Sequence, residues 1–259
     1  MRAKNFYRAL SLDDAYQKLL ENPKNSIIAG GLWIKKMGQS YETLIDISQL
    51  KLDQINEDND FIYIGSMVTL RDFETSPIVN NFCDGIPAFG IREVMGVNFR
   101  NIATIGGSIF GRYPFSDVIS ALLPFDVTLS FYPEQSMSLE EYLHYKGKIQ
   151  GILVAIKIKK EKAKGFYKKV KTTALDFPLI NIAVCKRNDK YYISVGSRPM
   201  VAALAYKAME EADAGLDFKQ VAKTAVEEYA FADSFSISKN YRKEIAEVYI
   251  RRGLEEVSK

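Results

Sequence analysis

Two glycine-rich turns carry the residues of this chain best suited to chemistry: Ile27-Ile28-Ala29-Gly30-Gly31 and Ala103-Thr104-Ile105-Gly106-Gly107-Ser108. Each follows an apolar stretch and lacks side-chain bulk, so backbone N–H groups there can approach a phosphate closely. A diphosphate carries negative charge that clustered N–H groups hold without a bulky cation beside it. Taken singly, each Gly-Gly pair also reads as a plain tight turn. The second turn runs on through Tyr113-Pro114-Phe115-Ser116-Asp117, where the acidic residue stands ahead of Val118-Ile119 as a helix N-cap would.

Secondary structure must hold these turns. Ser11 followed by Asp14 opens a helix with Ala15, Leu19 and Leu20 on one stripe. Residues 27–29 read as a short buried strand ending at Gly30-Gly31, with further strands at 44–47 and 61–64, a rhythm that predicts a small parallel sheet. Thr69 and Pro87 each begin a helix; the second carries Ile91 and Val94 and stops at Gly96. Val118, Leu122 and Leu123 are spaced helically, and 127–131, 152–158 and 166–170 read as antiparallel strands. The basic run from Lys157 to Lys169 alternates with apolar residues as a surface strand pair does.

A boundary near residue 160 gives units of 1–160 and 161–259. In the second, strands at 180–185 and 191–195 form a hairpin around Asn188-Asp189. Three helices follow, from Pro199 to about Ala212, from Phe218 to Tyr229 and from Lys239 to about Glu256. Tyr241, Ile245, Val248 and Tyr249 give the last helix an apolar face. A sheet with segregated helices is an α+β unit.

Composition narrows the function. The chain has 259 residues, 47% hydrophobic and 26% charged, as a globular protein does. Its net charge of +3 comes without zinc-finger spacing or an aromatic RNA-binding pattern, so no nucleic-acid partner is expected. Cys83 and Cys185 cannot build a four-cysteine cluster; they read as buried, reduced residues in an intracellular protein. His144 is the only histidine, in a helix that Ser138 and Glu141 open with a capping box, which leaves no Ser-His-Asp hydrolase to build. No secretory signal, membrane span or P-loop is visible, and the expected location is cytoplasmic.

The motifs together resemble the FAD-binding flavoprotein subunit of the molybdenum hydroxylases, the group that includes the xanthine dehydrogenases and the medium subunit of aerobic carbon monoxide dehydrogenase. That family reads A-G-G after an apolar strand, then A-T-I-G-G-[NS]-I, then S-D before an apolar helix; residues 103–117 here read A-T-I-G-G-S-I-F-G-R-Y-P-F-S-D. Ser238, Tyr241, Arg242, Ile245, Ala246, Arg251 and Arg252 match its C-terminal signature, and Asp46 and residues 64–69 extend the likeness over nearly the whole chain.

The resemblance implies an α+β fold: a two-lobed FAD-binding domain of the PCMH type, its lobes dividing near residue 55, then a smaller C-terminal domain of the carbon monoxide dehydrogenase flavoprotein type with an antiparallel sheet and three helices. It implies FAD contacts from Ile28, Ala29, Gly30, Gly31, Leu32, Trp33, Thr104, Ile105, Gly106, Gly107, Ser108, Asp117 and Val154, with Val94 packed nearby. Asp117 would accept from sugar hydroxyls, since an ionised carboxylate only accepts. It implies an oxidoreductase subunit with no catalytic acid–base residue and no metal of its own. Molybdopterin would sit on a large partner subunit and 2Fe-2S clusters on a small one, with FAD delivering electrons to NAD or another acceptor. Xanthine or another purine is the first substrate expected of the complex, then nicotinate-like heterocycles, then carbon monoxide.

Two departures stand out. After A-G-G the family places small polar residues, where this chain has Leu32 and Trp33; the indole could stack on adenine or flavin, or cap the core. A non-catalytic scaffold that has lost flavin is the alternative this raises. Leu179 stands where NAD-using relatives carry a lysine, which leaves the acceptor open, and Tyr113 and Phe115 are placed to border the flavin ring.

Overall fold

The chain begins on a parallel sheet. The computed structural model describes residues 1–235 and 237–259. Strands β1 (Arg2–Arg8), β2 (Ser26–Ile28) and β3 (Ser40–Asp46) pair in the order β1-β3-β2, all parallel. Helix α1 (Leu12–Leu20) crosses between β1 and β2, its N-terminus held by Ser11 Oγ accepting from the Asp14 N–H. Ala15 is buried while Leu20 is half exposed, so only part of the expected stripe faces this small core of Ala9, Ala15, Ile45, Ile47 and Ile152. Strand β2 is half-buried rather than buried, because residues 26–28 also line a cavity. It leads through Gly30-Gly31 into the short helix α2 (Leu32–Lys36).

A second, five-stranded antiparallel sheet follows, with β4 (Ile55–Glu57), β5 (Phe61–Gly65), β6 (Val127–Tyr132), β7 (Gln135–Ser138) and β8 (Ile152–Lys159) in the order β4-β5-β8-β6-β7. Between β5 and β6 run α3 (Leu70–Thr75), α4 (Pro77–Asn81), α5 (Ile86–Arg92), α6 (Val97–Arg100), α7 (Ile105–Phe110) and α8 (Asp117–Leu122). Their apolar sides join the sheet in the largest core, which includes Ile64, Phe73, Ile91, Ile105, Leu122 and Leu129. Gly96 does not stop α5: the helix ends at Arg92, Met95 makes the turn at φ 50°, and Gly96 is the extended N-cap of α6. Helix α9 (Leu139–His144) carries the expected capping box between Ser138 and Glu141. Ser138→Ala should cost about 1 kcal/mol in a urea melt; an unchanged midpoint would show the cap contributes nothing.

The last sheet is antiparallel, β12-β11-β10-β9, formed by β9 (Ala163–Val170), β10 (Ile180–Arg187), β11 (Lys190–Gly196) and β12 (Ala203–Leu204). Asn188 and Asp189 take φ 47° and 61°, the left-handed pair that a two-residue hairpin turn demands. The basic run is therefore not one surface pair: β8 pairs with β5 and β6, whereas β9 pairs with β10.

Helices α10 (Tyr206–Asp213), α11 (Phe218–Glu228) and α12 (Lys239–Val257) pack on this sheet, completing the α+β architecture. Helix α10 starts at Tyr206 rather than Pro199. The buried Arg198 guanidinium donates to the carbonyls of Val195, Val201 and Ala230, fixing residues 198–201 as a turn, and the Glu228 carboxylate on α11 caps the Lys207 and Ala208 N–H groups.

The buried face of α12 also differs from expectation, for it is Arg242, Ala246, Ile250, Gly253, Leu254 and Val257, with Tyr241 half exposed. Small residues decide this: a Cβ on Gly253 would lie 2.7 Å from Val184 and 2.8 Å from Phe166, so only glycine lets the helix sit this close to the sheet. Arg242 is buried because it donates to the carbonyls of Leu179 and Ser197 and to Ser234 Oγ. Among the described residues no helix is long and apolar enough to cross a membrane.

Candidate functional site

The fold brings the two glycine turns together. A Cβ on Gly30 would lie 1.8 Å from the Ile102 carbonyl oxygen, and one on Gly106 would lie 2.5 Å from the Ser66 carbonyl oxygen. Those two glycines therefore allow main chain to press on main chain. Gly31 serves differently, holding φ 70° at the entry to α2. Gly107 serves differently again: its Cβ would meet nothing within 4 Å except Thr104 Oγ1, at 3.0 Å.

Both turns line one cavity of about 540 Å³. Its walls include Ile28 through Trp33 from the first turn and Thr104, Gly106, Gly107 and Ser108 from the second. No acidic residue lines it among the described residues, and one basic residue, Lys148, does. An anion entering this space meets one cation and no opposing charge. Lys148 was not legible in the sequence, where it is one of many lysines in a loop.

The turns differ in what their N–H groups are free to do. Those of Ile105 and Gly106 donate to the carbonyls of Val68 and Ser66, that of Gly107 to Thr104 Oγ1, and that of Ser108 to the Thr104 carbonyl. Thr104 and Ser108 nonetheless offer hydroxyls at the cavity wall, with Ser108 Oγ donating to the Thr104 carbonyl at 2.8 Å. At the first turn, the N–H groups of Gly30, Gly31, Leu32 and Trp33 have no partner among the described residues. The expected symmetric pair of N–H cradles is thus one open cradle and one turn whose own donors are spent on holding its shape.

A second, smaller void of about 40 Å³, called the inner void, adjoins the first, and Trp33, Ser108 and Tyr113 line both. Trp33 packs there at ring-centroid distances of 5.0 Å to Phe115, 5.5 Å to Phe177, 5.6 Å to Tyr113 and 5.8 Å to Phe99. Each such aromatic pair is worth about 0.5–1.5 kcal/mol beyond the area it buries. Burial keeps the Tyr113 phenol above its ordinary range. Val94 and Asp117 line this inner void, whereas Ile105 is wholly buried in the core and Val154 packs beside the small N-terminal core; neither lines either cavity.

Asp117 is the first residue of α8, and Ser116 takes the N-cap by accepting from the Ile119 N–H. Its carboxylate is buried and engaged on both oxygens. Oδ1 accepts from Tyr167 Oη at 2.7 Å and Asn181 Nδ2 at 3.1 Å, and Oδ2 lies 3.2 Å from Lys169 Nζ. Asn181 Oδ1 in turn accepts from Ser120 Oγ at 2.7 Å. Burial holds the Lys169 ammonium below its ordinary pKa against the opposing pull of Asp117, and burial with the neighbouring carboxylate drives the Tyr167 phenol well up. This network ties α8 to β9 and β10, and the burial of one of its lysines is not something a strand of alternating lysines announces. Leu179 carries its carbonyl to Arg242 and lines neither cavity.

Comparison with known proteins agrees with this geometry. Residues 2–159 match the family described as the FAD binding domain in molybdopterin dehydrogenase. The chain is 27% identical over 210 residues to the nicotinate dehydrogenase FAD-subunit of Eubacterium barkeri, covering 73% of this chain and 70% of that one. It is 26% identical over 135 residues to the xanthine dehydrogenase FAD-binding subunit of Escherichia coli O157:H7, covering 49% of this chain and 46% of the relative, so that match spans about half the relative's length. Among solved structures, a carbon monoxide dehydrogenase from Hydrogenophaga pseudoflava superposes with a TM-score of 0.89 at 20% identity, over 100% of this chain and 98% of the other, a likeness of fold. With its paired glycine turns closing on one cavity and that match running through both of them, this chain belongs to the family of FAD-binding domains of the molybdopterin dehydrogenases.

Proposed function

We propose that this chain is the FAD-binding electron-transfer subunit of a molybdenum-containing hydroxylase of the xanthine dehydrogenase kind, an oxidoreductase subunit acting within a complex. The observation that carries this is the cavity of about 540 Å³ shared by both glycine turns. The open N–H groups of Gly30 through Trp33 and the Lys148 ammonium would hold the diphosphate, and the hydroxyls of Thr104 and Ser108 would bind phosphate or ribityl oxygens. When bound, FAD supplies a centre that takes electrons singly and releases them in pairs. The protein's part is to bind and orient that group and to keep water from it.

Residues 1–160 form the FAD-binding domain in this reading, in two lobes dividing near residue 55, and 161–259 the C-terminal domain. Asp117, bound to Tyr167, Lys169 and Asn181 of the C-terminal part, sets the distance between the two. Two cysteines cannot supply 2Fe-2S clusters, so these and molybdopterin belong to partner subunits, with NAD or another acceptor taking the electrons in the cytoplasm. The closed aromatic cluster around Trp33 favours a second reading, a scaffold subunit of the same fold without flavin. One experiment separates them. The purified chain mixed with FAD and desalted should retain stoichiometric flavin absorbance; a colourless protein overturns the flavin reading.

A further inference from the structure

We infer that Trp33 is a gate dividing the cofactor cleft, so that the adenine-diphosphate half of the ligand docks first and the flavin ring enters only when the indole swings aside. This rests on the flavin reading and adds to it a mechanism of entry and a residue that controls it. The outer cavity, at about 540 Å³, has room for a nucleotide diphosphate. The inner void, at about 40 Å³, is less than a tenth of that size and has room for a few waters only. A fused tricyclic ring cannot enter it as it stands.

What fills the passage is specific. Trp33, Ser108 and Tyr113 form the wall common to both spaces, and behind the indole stand Phe115 and Phe177, themselves 4.5 Å apart between centroids. Phe177 is itself partly exposed, on the segment between β9 and β10. Trp33 lies in the first turns of α2, a helix of residues 32–36 with no buried side chain, followed by the half-exposed Met37. The indole is thus mounted on the least embedded helix of the cleft, and of the rings it packs on only Phe99 lies against the main core. Its neighbours toward the inner void are rings that can stack as well on a flavin as on an indole.

Only the open state accepts the ring, so binding should show a step whose rate saturates with ligand concentration. The chain has one tryptophan, so its fluorescence reports Trp33 alone. In stopped-flow mixing, FAD should give a fast phase proportional to concentration and then a slow one that saturates. ADP should give only the fast phase and should compete with FAD. Trp33→Ala, followed by flavin emission, and Phe177→Ala, which keeps the reporter, should each speed the slow phase about tenfold or more.

Flavin uptake by Trp33→Ala but not by the unaltered chain also supports the gate, as its strictest form. A single phase proportional to FAD concentration in the unaltered chain overturns it, as does a slow phase that neither variant changes; either result leaves flavin binding standing. If no form of the chain takes up FAD, the flavin reading falls and the gate with it.

Discussion

Glu74→Ala is expected to lower the stability of the protein by about 3–5 kcal/mol, the usual cost of leaving one half of a buried ion pair alone. For a chain of this length that lowers the melting temperature by roughly 10 °C. Glu74 on α3 is buried, its Oε2 2.8 Å from Arg100 Nε, and Arg100 is itself buried. Arg71 also pairs with Glu74 from one turn away, but it is half exposed and cannot replace Arg100. The consequence reaches the site. Arg100 Nη1 donates to the carbonyls of Val94 and Met95 at 3.1 and 3.2 Å, and both residues line the inner void. Without Glu74 the guanidinium is buried uncompensated, and the turn at Met95, already at positive φ, loses its anchor. Glu74→Gln keeps the shape and should cost less. A loss in Glu74→Ala below about 1 kcal/mol in a urea melt would show that the pair is solvated in solution.

Gly30→Ala should weaken flavin binding on the order of a hundredfold. The added Cβ would fall 1.8 Å from the Ile102 carbonyl oxygen, which is main chain and cannot turn away as a side-chain tip would. Overpacking commonly costs about 1–3 kcal/mol, and backbone neighbours put this case at the upper end. Relief requires the two turns to part, and about 2.7 kcal/mol placed on the bound state corresponds to that hundredfold change. Gly96→Ala is the control, because Gly96 has ordinary φ and nothing within 4 Å of its Cβ position. It should bind as the unaltered chain does. Equal affinities for Gly30→Ala and Gly96→Ala, by equilibrium dialysis with FAD, would show that contact between the turns does not matter to the ligand.

Several local signals in this chain hold because the determining atoms lie within a few residues, although Gly96 does not end α5 and Ser116 rather than Asp117 caps α8. Ser11 with Asp14, Thr69 with Asp72 and Ser138 with Glu141 each close a cap inside one turn, so the sequence alone places those helix starts. The Asn188-Asp189 turn is of the same kind. Other features depend on a distant group. The start of α10 depends on Glu228 of α11, and the 198–201 turn on the reach of Arg198 to Ala230. The buried face of α12 departs from the apolar stripe because Gly253 and Ala246 are poor in apolar area and rich in fit, which a count of hydrophobic side chains ignores.

The sequence by itself determined the glycine turns, the capped helices, the alternation of strands and, through them, the family. Those are short-range matters of φ preference, hydrogen-bond reach and hydrophobic period, all contained in neighbouring residues. Only the tertiary structure decided how the turns are built and which of their donors stay open. It set Gly30 against Ile102 and Gly106 against Ser66, spent the donors of the second turn on its own shape, and left those of the first one open. It also buried Lys169 against Asp117 and drove Trp33 between two cavities. Most of these are contacts between residues far apart in the chain, fixed by how cores pack, and packing is a property of volumes in space that linear order does not record.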